Sequence, residues 1–129
     1  MDELIDEMEH WAEGNDYEKR ASIASLCEPK LLKQKEHVVR VLKILDTVTQ
    51  SVIDVKDRKD ERFAALKKGL AYCWSVAIVM NPDEGKRKFE KWLSNQDKDI
   101  NWIIRENLKK DRLKRMDEAW VHECSKAIN

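Results

Sequence analysis

The chain is poor in turn formers. Its 129 residues include three Gly and two Pro. A sheet-rich or loop-rich protein needs many more of both, Gly for positive φ and Pro for a pre-set φ, so the scarcity excludes those classes and favours an all-helical chain. Net charge is absent as well, with 25 Lys and Arg against 25 Asp and Glu. That balance argues against a dedicated nucleic-acid or membrane-surface binder. Cysteine is limited to Cys27, Cys73 and Cys124. They are odd in number, far apart and set among apolar positions, so they read as buried free thiols in a reducing cytoplasm and not as a disulfide frame. The longest apolar run, Leu70–Met80, is shorter than the roughly 20 residues a spanning helix needs, and no membrane segment is expected. A secretory leader begins with basic residues, whereas this N-terminus is acidic.

Chemistry-bearing motifs are missing too. There is no Gly-rich phosphate loop, no G-x-S-x-G and no H-E-x-x-H. His10, His37 and His122 are scattered, and the His122/Cys124 spacing has no second pair with which to build a zinc site. The expectation is a non-enzymatic protein without metal or cofactor.

What the chain does have is charge, at 39% of residues, arranged with helical periodicity. One domain over residues 1–129 is expected, long enough for a hydrophobic core of its own. The central stretch is Trp92–Arg115, where an apolar helix end (Phe89, Trp92, Leu93) meets a polar turn, Ser94–Asp99. A second helix then carries Ile100, Ile103, Ile104 and Leu108 on one stripe. Asp97 and Asp99 suit its N-terminus, where carboxylates accept from unpaired N–H groups.

Elsewhere the same period predicts a first helix over about Asp2–Glu13, with Leu4, Ile5, Met8, Trp11 and Ala12 inward and Gly14 as C-cap. Asn15 and Glu18 form a capping box for the second helix, which carries Ile23, Ala24, Cys27 and Leu31 and is bent by Pro29. A third helix is expected over about Gln34–Val55. The all-charged Lys56–Asp60 loop should face solvent. The fourth, Glu61–Met80, is apolar all round in its second half and must be the most buried, with Gly69 admitting a neighbouring backbone. Asn81-Pro82-Asp83-Glu84 starts a fifth helix that ends near Ser94. A sixth covers about Asp97–Lys110, and a last begins near Asp117 with Trp120, Val121, Cys124 and Ile128 inward. Seven helices fit three pairs and a closing helix.

Two turns look alike. Trp11 precedes Asp16 by five residues and Trp92 precedes Asp97 by five, a period of 81. With Asp16–Arg20, Asp99–Arg105 and the segment Trp102–Arg115, the chain resembles HEAT-like helical-repeat proteins of bacteria and archaea. It is more distantly similar to the helical-repeat DNA alkylation-repair glycosylases. The resemblance implies antiparallel helix pairs stacked as a HEAT-like α-α superhelix, an Asp-to-Arg link between repeats and a scaffolding role on an extended surface.

Trp102, Arg105, Lys109 and Arg112 are spaced three, four and three apart, which places them on one helix face opposite the Ile100/Leu108 stripe. A Trp among cations suits anchoring a protein partner or stacking on a base; equally, Trp102 packs inside the stack and the cations form a solvated face. Charge is also segregated. Residues 1–18 hold eight acids and no Lys or Arg, whereas 105–115 hold six bases and two acids. That polarity suits head-to-tail self-association. The function expected is a protein-interaction scaffold; the alternative is a nucleic-acid-binding relative of the repair glycosylases, for which net neutrality is unfavourable.

Overall fold

The computed structural model describes residues 2–27, 32 and 34–128. Among these, the chain is all-helical: α1 (Asp2–Trp11), α2 (Asp16–Leu26), α3 (Lys35–Val52), α4 (Glu61–Met80), α5 (Pro82–Glu90), α6 (Lys98–Leu108) and α7 (Asp111–Ala127). The expected effects of Pro29 and Leu31 on the second helix lie outside the described residues.

The start signals work as their chemistry requires. Glu18 N donates to Asn15 Oδ1 at 2.9 Å and Asn15 N donates to Glu18 Oε1 at 3.1 Å, closing the capping box. Asn81 caps α5 with Pro82 in its first turn. Gly14, by contrast, is not a left-handed cap, since no glycine has positive φ. Its hydrogen is needed for space: a Cβ there would sit 2.7 Å from the Glu18 carboxyl, blocking the reach that closes the box.

Helix α4 is the axis of the molecule. Among the described residues, its main packing partners are α2, α3, α5, α6 and α7. Successive odd helices touch (α1 with α3, α3 with α5), and so do successive even ones (α2 with α4, α4 with α6). The helices therefore lie in two layers, with α7 closing the end against α4 and α6. Between the layers sit Phe63, Leu66, Leu70, Trp74, Ala77 and Ile78 of α4, with Leu42, Leu45 and Val48 of α3 and Ile100, Ile103 and Ile104 of α6. By length and composition α4 is apolar enough to cross a membrane, because Phe63–Leu70 extends the apolar run that the sequence shows after Leu70. In this fold its apolar positions meet the surrounding helices.

Buried polar groups are mostly paired, as a low-dielectric interior demands, Asn101 Oδ1 being an exception. Trp74 Nε1 donates to Thr49 Oγ1 at 3.0 Å. Asn107, fully buried, donates to the carbonyls of Ile103 and Leu70 and accepts from Ser75 N at 3.0 Å, tying α6 to α4.

Two further expectations change, at Gly69 and at the start of the last helix. At Gly69 the neighbour is the side chain of Ile23, not a backbone. The close backbone approach is at Gly85, where a Cβ would stand 2.7 Å from Ile78 Cα. The last helix starts at Asp111, earlier than expected, and Asp117 (φ −162°, ψ 87°) interrupts it. Asp117 Oδ1 accepts from Trp120 N at 3.0 Å, so the start expected near Asp117 is a capped break inside α7.

Candidate functional site

The turn before α6 is where sequence and structure meet most closely. Asp97 caps α6, accepting from Asp99 N and Ile100 N. Both Asp97 and Asp99 then pair with Arg58, which the sequence places in a solvent-facing loop. Arg58 is instead partly buried: Nη2 lies 2.7 Å from Asp97 Oδ2 and Nη1 lies 2.9 Å from Asp99 Oδ2. The same guanidinium donates to the carbonyls of Val52 and Val55 just past the end of α3. A planar cation with five donors thus satisfies the negative end of one helix and the acidic start of another. Its pairing with Arg58 holds the Asp97 carboxyl below the usual carboxylate range. Lys67 of α4 adds a second cation, 3.1 Å from Asp99 Oδ1. The cations beside Asp99 are thus Arg58, of the charged loop, and Lys67 of α4.

The Trp-bearing turns also differ in detail. Trp92 is 4% exposed, donating to Asp46 Oδ1, whereas Trp11 is 38% exposed. The caps fall at Asn15 and Asp97, one residue out of step with the two Trp positions.

The four predicted site residues do not share one helix. Helix α6 ends at Leu108, Lys109 is its C-cap and Arg112 belongs to α7. Trp102 is half-buried against the core, with Lys67 Nζ 4.7 Å above its ring. Arg112 lies 4.8 Å over the Tyr72 ring and donates to Ser75 Oγ at 3.0 Å, so it tethers α7 to α4. Lys109 pairs with Glu106 at 2.6 Å on the surface.

Arg105 and Lys109 do come together, on the rim of a groove of about 510 Å³ between α6 and α7. Leu108, Val121 and Ile128 supply its apolar surface; Lys114 adds a third cation, and Glu118, His122 and Ser125 line the α7 side. This groove could not be read from a single-helix projection, since it exists only where the break after Leu108 folds α7 back on α6. His122 faces it while Cys124 is buried, so the two do not converge. Among the described residues, no group of three His, Cys, Asp or Glu side chains is placed to hold a metal ion.

The acidic first helix is also engaged within the chain. Arg40 of α3 pairs with Asp6 and with Glu9 at 2.9 Å, and His37 Nε2 lies 3.0 Å from Asp2. That stripe is therefore partly neutralised before any second copy arrives. Comparison of the chain with protein-family models, with curated proteins and with solved structures finds no match.

Proposed function

We propose that this chain is a non-enzymatic protein-interaction module of stacked, HEAT-like helix pairs that docks an acidic amphipathic segment of a partner protein in the α6–α7 groove. The observation that carries the reading is the groove's composition: an apolar lining of Leu108, Val121 and Ile128 beneath a rim of Arg105, Lys109 and Lys114. An amphipathic helix lays its apolar side into such a lining, and carboxylates along its edges meet the cations. Trp102 and Arg112 serve the packing of α6 and α7 in this reading; Arg105 and Lys109 contact the partner. The two-layer arrangement of odd and even helices supports a repeat-type scaffold.

The nucleic-acid alternative draws less support. The ring faces of Tyr72 and Trp102, beside the cations of α6 and α7, already carry Arg112 and Lys67 from the same chain. Self-association through the acidic α1 must compete with Arg40.

Fluorescence anisotropy separates the readings. The probes are a helical peptide with Leu at every third or fourth position and Glu between, the same peptide with Lys for Glu, and single-stranded DNA. The Glu peptide should bind, the Lys peptide should not, and added salt should weaken binding. Reversing Arg105, Lys109 and Lys114 to Glu should reduce affinity more than about tenfold with thermal unfolding unchanged. Equal binding of both peptides, or DNA binding abolished by the same reversal, would overturn the proposal. Sedimentation at low and high salt reads self-association directly.

A further inference from the structure

We propose that Cys27 and Cys73 are an oxidant-responsive thiol pair that closes to an intramolecular disulfide and staples α2 to α4. It is independent of the docking groove. Helices α2 and α4 run in the same direction where they touch: Gly69 faces Arg20 and Ile23, and four residues on, Cys73 faces Ile23. Cys27 lies one turn beyond Ile23 on the same side of α2, which brings it level with Cys73. The two residues flank one carbonyl oxygen. Ile23 O accepts from Cys27 N at 3.0 Å and from Cys73 Sγ at 3.7 Å. Helices α2 and α4 pack directly on each other, as a disulfide between neighbouring helices requires.

Each thiol is almost fully buried, but both line a groove of about 300 Å³ through which a small oxidant reaches them. Arg20 and Lys68 border that groove. The third cysteine, Cys124, is buried on α7, where desolvation and Glu90 push its thiol up to about 11.

The chemistry balances with a peroxide as oxidant. One thiolate attacks the O–O bond of hydrogen peroxide, giving a sulfenic acid and hydroxide, which takes up the thiol's proton as water. The second thiol attacks the sulfenic sulfur, the S–S bond forms and a second water leaves. Two thiols are oxidised, and one peroxide is reduced to two waters.

The test uses the full chain treated with hydrogen peroxide, alkylated in denaturant and mapped by mass spectrometry without reduction. Expected is a monomer lighter by two hydrogens, a Cys27–Cys73 cross-linked peptide and a single alkylated cysteine, Cys124. Its thermal midpoint should rise and return on reduction, because the cross-link restricts the unfolded chain. Cys73→Ser should remove the cross-link. Cys124→Ser keeps the pair, and its oxidised form should take up no alkylating agent, a readout that holds even where Cys73→Ser does not fold. Pairing that involves Cys124, dimers between chains, or Cys27 and Cys73 both alkylated after oxidation would overturn the proposal.

Discussion

Arg58 shows how one side chain decides the geometry of a turn. It sits in a run of charges that reads as a solvated loop, yet it joins the end of α3 to the start of α6. Replacing it with Met leaves Asp97 without a cation, Asp99 with only Lys67, and the carbonyls beyond α3 without their donor. We expect a loss of about 2 to 3 kcal/mol at neutral pH, at the low end for breaking a buried pair because the cluster is partly exposed. The pH dependence has a definite sign. Asp97's folded pKa is depressed, first of all by Arg58. Its contribution is therefore present above the unfolded value of about 3.9 and is lost as pH falls through the lower folded value. Urea unfolding of both proteins at pH 7 and in strong acid should show the gap narrowing on the acid side. A gap independent of pH would mean that Arg58 acts through the carbonyls of α3 alone.

The element scale separates what is legible in the chain from what is not. Helix starts are readable because they are local: Asn15 with Glu18, Asn81 with Glu84, and Asp97 with Ile100 all bond within three residues. The buried half of α4 was readable because burial all round leaves a continuous apolar run. Contacts between elements were not. Gly69 and Gly85 look alike in sequence, and only the fold shows which one faces a backbone. Arg58 gave no signal apart from its neighbours, and the break after Leu108 left Arg112 looking like a fourth residue on the face of α6. The two glycines make a matched test. Gly85→Ala drives a Cβ into Ile78 Cα at 2.7 Å, forcing α5 off α4, and should cost about 2 to 3 kcal/mol. At Gly69 the new Cβ meets the end of a flexible Ile23 side chain at 3.2 Å. There, the gain in helix propensity of roughly 1 kcal/mol offsets much of the strain. Chemical denaturation of the two variants should differ clearly; equal losses would place the close α4–α5 contact elsewhere.

At the scale of the whole molecule, neutrality conceals a division. The acids of α1 are gathered by Arg40 on α3, while cations collect along α6 and the start of α7 beside the groove. The sequence showed this division as two charge-biased ends, but not that the acidic one was already answered from within. Arg105 and Lys109 share the rim of the α6–α7 groove, and the geometry that assembles it comes from a chain reversal that no helical projection contains.

The contacts of α4 bear on how the chain comes apart. A row of repeats that touch only their neighbours can melt from its ends, unit by unit. Here, five of the other six helices lean on one rod, so none of those five can leave without uncovering it. Among the described residues, the main contacts of α1 are instead with α2 and α3. Amide exchange should find α1 opening first and the remainder in a single concerted step; Trp74 fluorescence should then coincide with the main loss of helical signal. In its cooperativity this short stack would behave as one body wound around a spindle.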